Sequence, residues 1–337
     1  MFWGRLMRVL FIGGTGNIST ACTKLALERG IDISLFNRGI SPGEVPRGAN
    51  LIRGDIRDER QAALALGRLE FDAVVEWVAY EPSHIEIDIN LFRGRTRQYV
   101  FISTASAYQK PPGHYLITEE TPLSNPFWQY SRDKIACEEL LDRVHRESGF
   151  PATIVRPSLT YGETWIPAAI GGHDYTLIDR MKKGKEIIVH GDGQSLWTLT
   201  HNTDFAKGLV GLLGRAEATG ERYHITSDEV LTWDRIYRAI GRAAGIEPDL
   251  AHIPSELIHA FDARIGAGLL GDKAYSAIFD NSKIKRAVAG FRATVSFDEG
   301  IRKCLDWFEA DPARKTVNEA SNRLMDRMIE AYGKAWP

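Results

Sequence analysis

The chain has 337 residues, a formal net charge of −2 and 44% apolar residues, the composition of an ordinary globular protein. A charge so near zero argues against nucleic acid as the main partner, and no run of about 18 apolar residues is present to span a membrane. Cys22, Cys137 and Cys304 are widely spaced without a metal pattern, and Met1–Met7 lacks the apolar core of a signal peptide; a reducing cytoplasm is the expected location.

In chain order, the short apolar runs are Val9–Ile12, Ile31–Phe36, Asn50–Arg53, Ala73–Val78, Tyr99–Ile102 and Ala152–Val155. Between them, Ile18–Arg29, Asp58–Leu66, Ser83–Phe92 and Gln129–Glu147 place apolar residues at helical spacing. Continuous apolar strands alternating with helices imply a parallel sheet covered on both faces. Beyond Pro157 the alternation breaks up around Gly171-Gly172 and Gly191-Asp192-Gly193, with helices expected at Asp204–Leu213 and Trp233–Ala244. From Val317 on, Ala320, Leu324, Met328 and Ala331 form one helical stripe. The expected fold is α/β: a Rossmann-type doubly wound parallel sheet over residues 1–160. Residues 161–337 then make a smaller C-terminal substrate-binding lobe, with some segments returning to the Rossmann core.

Gly13-Gly14-Thr15-Gly16-Asn17-Ile18-Ser19 follows the first strand directly and opens a helix. Glycine is required where a tight turn brings backbone against a pyrophosphate at a helix N-terminus. The second strand ends in Asn37-Arg38, where an acid would hold the ribose 2′-hydroxyl of NAD. A neutral Asn37 removes repulsion against a 2′-phosphate, and a guanidinium at Arg38 can pair with it, so NADP is favoured over NAD. In Arg53-Gly54-Asp55-Ile56-Arg57-Asp58, Asp55 is a candidate acceptor for the adenine amino group, whereas Asp58 reads as a helix N-cap.

Tyr130 and Lys134 stand at i and i+4 on one helix face. An ammonium beside a phenol, together with the positive nicotinamide ring, favours phenolate and lowers the tyrosine pKa. With Ser103-Thr104-Ala105-Ser106-Ala107-Tyr108, Arg156-Pro157-Ser158-Leu159-Thr160-Tyr161-Gly162 and the glycine loop, the sequence resembles the extended short-chain dehydrogenase/reductase family, which includes sugar-nucleotide epimerases and dehydratases. The resemblance implies that Thr104 holds the substrate oxygen, Tyr130 is the acid/base, and Lys134 binds the nicotinamide ribose. Ser103 and Ser106 compete with Thr104 for its role. Gly13, Gly14, Thr15, Gly16, Asn17, Ile18, Asn37, Arg38, Asp55, Ile56, Ala79 and Pro157 are the further cofactor contacts it implies.

Three departures bear on the substrate. Ala105 and Ser106 stand where the 4,6-dehydratases carry an Asp-Glu pair, so dehydration lacks its agents. Trp197 occupies a loop position that normally offers arginine to nucleotide phosphates, and Glu76-Trp77-Val78-Ala79-Tyr80 replaces a His-Leu-Ala-Ala type stretch. Ser106, Trp197 and His201 are substrate candidates, and Trp128, Trp165, Trp197 and Trp233 could supply an aromatic wall. Together these features predict an NAD(P)-dependent oxidoreductase or epimerase acting on a sugar-like alcohol or ketone. UDP-, GDP- and dTDP-sugars are expected to bind poorly, because the loop holding Trp197 lacks a cation. A homodimer through Ser83–Phe92 and Gln129–Glu147 is implied by the resemblance; no metal, nucleic acid or membrane partner is expected. The competing reading is a non-catalytic dinucleotide-binding regulator or RNA-binding relative.

Overall fold

The computed structural model describes residues 6–40, 43 and 45–335, so the reading of residues 1–5 lies outside them. Seven parallel strands form the central sheet: β1 (Arg8–Ile12), β2 (Asp32–Asn37), β3 (Asn50–Arg53), β4 (Ala73–Glu76), β5 (Tyr99–Ile102), β6 (Ala152–Pro157) and β7 (Arg222–Ile225). Their order is β7-β6-β5-β4-β1-β2-β3. The chain moves outward in opposite directions from the β1–β4 pair, which opens a crevice at the carboxyl ends of those strands.

Every residue of β4, β5 and β6 is buried, which explains why these strands read as continuous apolar runs. Alternate residues feed two cores. Val9, Phe11, Val75 and Val100 meet Cys22 and Ala26 of α1 (Ser19–Glu28), and Phe205 and Leu209 of a later helix. Leu10, Ile12, Val74 and Phe101 meet α2 (Glu59–Leu66), α3 (Pro82–Phe92) and α4 (Gln129–Ser148) through Ala62, Ile85, Cys137 and Leu141.

After residue 160 come α5 (Thr176–Lys182), α6 (Asn202–Leu212) and α7 (Trp233–Ala243). The later helix named above is α6; it packs on α1, and β7 adds to the sheet beside β6, so part of this half returns to the Rossmann core. The remainder builds its own core around Tyr161, Trp197, Trp233, Tyr237, Ile301 and Phe308. Two expectations shift. Strand β4 ends at Glu76 rather than Val78, because the Glu76 carboxylate accepts the Val78 N–H and turns the chain out of the ladder. The last helix, Glu319–Ala335, buries Asn322, Met325 and Met328, whereas Ala320 is exposed. Its face is set by Arg180 of α5, whose guanidinium donates to Asn322 Oδ1 (2.5 Å) and Asp326 Oδ1 (2.7 Å).

A candidate active site at the carboxyl ends of the strands

The glycine loop begins where the Gly13 N–H donates to the Phe36 carbonyl at 2.9 Å, tying it to β2. Gly13 and Gly14 adopt φ of 101° and 96°, and a Cβ on Gly14 would stand 2.6 Å from Leu35 Cδ2. At the helix start, Ile18 provides no side-chain cap, which leaves first-turn N–H groups for an anion. The loop forms one side of a cleft of about 910 Å³ that runs from Arg38 and Arg53 to Tyr130 and Trp165. Glycines at the turn, an uncapped helix start and a cleft of this size fit an extended dinucleotide.

At the β2–β3 end, Asn37 Oδ1 accepts the Gly39 N–H at 2.9 Å and frames the turn that carries Arg38. Arg38 is exposed and lies 3.8 Å from Asp55, a loose pair. The parallel register sets Arg53 beside Asn37, so a second guanidinium faces this end of the cleft. Asp55 and Ile56 line it as well, with Asp55 Oδ1 accepting the Arg57 N–H at 3.0 Å. Asp58 caps α2 by accepting the Gln61 N–H at 2.9 Å.

At the other end, Thr104, Tyr130 and Pro157 all line the cleft. Thr104 closes a short 3₁₀ turn by accepting the Ser106 N–H at 3.2 Å, and its hydroxyl meets Ser106 Oγ at 3.0 Å. Ser106 Oγ continues to Ser131 Oγ at 2.7 Å, which joins the strand end to α4. Ser103 instead donates to Glu138, whose carboxylate is locked to Arg156 of β6 through contacts of 2.5 to 3.2 Å. Both members of that pair are buried, and they fix α4 against the sheet about two helical turns beyond Tyr130. Burial pushes the Tyr130 phenol up to about 12, against the opposite pull of the Thr104 hydroxyl. This reverses the expectation from the i, i+4 spacing. The Lys134 ammonium lies 5.9 Å from the Tyr130 ring centre and donates elsewhere, to the carbonyls of Ala79 (2.7 Å) and Ile102 (2.8 Å). Its own burial brings Lys134 down to about 8.

Residues 9–226 match the family model for the NAD dependent epimerase/dehydratase family. The chain belongs to that family. It is therefore an enzyme that works with a nicotinamide dinucleotide. Among proteins similar to this family member, 2′-dehydrokanamycin reductase of Streptomyces kanamyceticus is 26% identical over 74% of this chain and 70% of its own length. Chloroplast stem-loop binding protein of 41 kDa b from Arabidopsis thaliana is 25% identical over 96% of this chain and 84% of its own. UDP-glucose 4-epimerase from Bifidobacterium longum, solved with NAD⁺ and UDP, shares the fold at a TM-score of 0.73 and 21% identity, covering 92% and 100% of the two chains.

In this epimerase/dehydratase family member, Gly13, Gly14, Thr15, Gly16, Asn17, Ile18, Asn37, Arg38, Asp55, Ile56, Tyr130 and Pro157 all line the cleft. Ala79 is sealed from solvent and serves through its carbonyl to Lys134. All three substrate candidates fall outside the cleft wall: Ser106 is buried, with its hydroxyl held between Thr104 and Ser131. Trp197 pairs with Leu231 in a short antiparallel ribbon that turns its indole inward onto Trp233, with ring centres 5.6 Å apart. His201 is buried and caps α6, meeting Thr203 Oγ1 at 2.7 Å. Of the four tryptophans considered for a wall, Trp165 lines the cleft, Trp128 packs 5.0 Å from the Tyr130 ring, and Trp197 and Trp233 belong to the lobe core. Sequence reasoning missed Arg53, Trp77 and Tyr80 as cleft residues. It also missed Asn202, which holds the glycine loop to the far half by donating to the Asn17 carbonyl at 2.8 Å.

Proposed function

We propose that this protein is an NADP-dependent oxidoreductase that acts at a secondary alcohol or ketone of a small sugar-like molecule, with Tyr130 as acid/base. The observation that carries this reading is the convergence of Thr104 and Tyr130 at the Pro157 end of the dinucleotide cleft. Bound nicotinamide supplies or accepts the hydride. Thr104 donates to the substrate oxygen and holds it, and Tyr130 takes or gives the proton at that same oxygen. With two of its three N–H donors engaged by Ala79 and Ile102, Lys134 keeps one to orient the cofactor ribose. A protonated Tyr130 phenol can donate to a ketone oxygen in reduction, and its phenolate can accept the alcohol proton in the reverse direction. The same residues serve one-way reduction and epimerisation, and a requirement for added cofactor separates the two.

NADP rather than NAD is supported by the two guanidiniums, Arg38 and Arg53, flanking the neutral Asn37. A substrate without a nucleotide is supported by one relative, whose name gives 2′-dehydrokanamycin, not a sugar nucleotide, as what it reduces. Stem-loop binding, a nucleic-acid function, is in the name of one relative. A net charge of −2 provides little electrostatic footprint for it, and a binding protein has no need of the Thr104–Tyr130–Lys134 group. The test follows NADPH absorbance over nucleotide-free sugar ketones alongside UDP-, GDP- and dTDP-sugars. NADPH consumption with a nucleotide-free ketone is expected. Turnover confined to a nucleotide sugar contradicts the substrate assignment, and NADPH inert throughout the panel contradicts the oxidoreductase reading.

A further inference from the structure

Thr104 does not stand alone at the end of β5. A row of hydroxyls runs inward from it: Thr104 Oγ1 lies 3.0 Å from Ser106 Oγ, which lies 2.7 Å from Ser131 Oγ of α4. Thr104 lines the cleft, whereas Ser106 is 3% and Ser131 0% exposed, so the inner two are closed off from substrate and solvent. Among the described residues, the Ser131 hydroxyl has Ser106 as its one hydrogen-bond partner. Asn125 holds the row together. Its Nδ2 donates to the carbonyls of Gly271 (2.6 Å) and Ser106 (2.8 Å), and its Oδ1 accepts the N–H groups of Phe127 (3.2 Å) and Trp128 (3.1 Å) at the entry to α4. One buried amide thus registers the turn bearing Thr104 and Ser106 against the helix bearing Tyr130 and Ser131.

Such a row can run in two directions, because each hydroxyl has one hydrogen to give and two lone pairs to fill. Were Thr104 to donate to Ser106 and Ser106 to Ser131, the Ser131 hydrogen would be sealed in with no acceptor. With Ser131 donating to Ser106 and Ser106 to Thr104, both inner hydrogens are used and only lone pairs go unfilled. An unmet buried donor is the rarer and costlier fault, so the second direction prevails. Thr104 Oγ1 already accepts the Ser106 N–H at 3.2 Å. The Ser106 O–H fills its other lone pair, and the Thr104 hydrogen is left for the cleft. Hydroxyls aligned in one direction also polarise one another, which strengthens the last donor.

We infer that Ser106 and Ser131 are positioning residues that commit Thr104 to donate, so that it selects a carbonyl or developing alkoxide oxygen. The hydrogen bond of an alcohol is then left for Tyr130 to accept. This rests on the proposed function for a substrate oxygen between Thr104 and Tyr130, and it adds the inner residues that set the polarity of that pair. The Thr104 hydroxyl also pulls the Tyr130 phenol down against its burial, so a weaker Thr104 donor should let the phenol rise.

The test compares Ser106→Ala, Ser106→Cys and Ser131→Ala with the parent. Cysteine nearly keeps the volume of serine but donates weakly, so it separates a donor from a filler of space. NMR of protein labelled at the tyrosine ring carbons, with NADP⁺ bound, follows the Tyr130 phenol, identified by its loss in Tyr130→Phe. Its titration is expected to move upward in each variant, furthest in the two at Ser106. With NADPH and a nucleotide-free sugar ketone, kcat should fall about three- to tenfold in the Ser106 variants, the scale of one neutral hydrogen bond, while KM and NADPH affinity stay within about twofold. An unmoved Tyr130 titration or an unchanged kcat in Ser106→Ala would overturn the inference. So would Ser106→Cys matching the parent where Ser106→Ala does not, or a kcat loss that comes only with lost NADPH affinity. If the Ser106 variants fail to fold, Ser131→Ala decides by the same readings, since Ser131 bonds Ser106 and not Thr104. Absence of turnover with every ketone would instead count against the oxidoreductase reading, and the phenol titration would then decide the role of the row.

Discussion

The two ends of the cleft are built by different means. The end bearing the glycine loop, Asn37, Arg38, Arg53 and Asp55 comes from three neighbouring strand ends, and parallel register alone brings its parts together. The Tyr130 end gathers side chains from distant segments: Thr104 after β5, Tyr130 in α4, and Pro157 and Trp165 at and after the end of β6. At the first end backbone does most of the work, and any sequence that folds this way can hold the common part of a dinucleotide. At the second end the chemistry depends on individual side chains held by buried knots such as Asn125 and the Glu138–Arg156 pair. Cofactor class should therefore follow the fold, and substrate should follow the particular residues.

Substitutions at the two ends should separate cleanly. The largest effect is expected from Tyr130→Phe, which should lower turnover by about 10²–10⁴ while NADPH affinity stays within twofold of the parent, roughly. Steady-state kinetics beside calorimetry reads both quantities, and retention of most activity would remove Tyr130 from the chemistry. Next comes Glu138→Ala. It strands the buried Arg156 guanidinium and should cost about 3–5 kcal/mol in chemical denaturation. A loss below about 1 kcal/mol would mean that the pair does not anchor α4.

Arg38→Ala acts at the opposite end and should weaken NADPH by about 1.5–3 kcal/mol with little change for NADH. Arg53→Ala should move in the same direction. Equal losses for both cofactors would show that neither guanidinium reads the 2′-phosphate. None of these changes should alter assembly. We expect a homodimer through α3 and α4, visible by light scattering at micromolar concentration, and a monomeric mass would rule out that arrangement.

The contrast between the ends also explains what could be read from sequence. β1, the glycine loop and α1 are local: an apolar run, glycines where φ is positive, then helical spacing, all within residues 8–28. The Tyr130–Lys134 pair was visible for the same reason, being one helical turn apart. Its electrostatics were not. Spacing placed an ammonium near a phenol, but the carbonyls of Ala79 and Ile102 claim that ammonium, and burial governs the phenol. Trp197 misled because a loop position does not reveal its direction; pairing with Leu231 turns the indole into the core. Arg53 could have been found from the register of β2 and β3, which sets it opposite Asn37.

The central claim is that one cleft holds NADP at its strand-built end and presents it to Tyr130 at the other. Calorimetric titration of the unmodified protein with NADPH and with NADH, repeated on Tyr130→Phe, tests it most directly. The account predicts NADPH tighter than NADH by about tenfold or more, from one charged hydrogen bond to the 2′-phosphate, in both proteins. Tighter binding of NADH, or no binding of either dinucleotide, would contradict it.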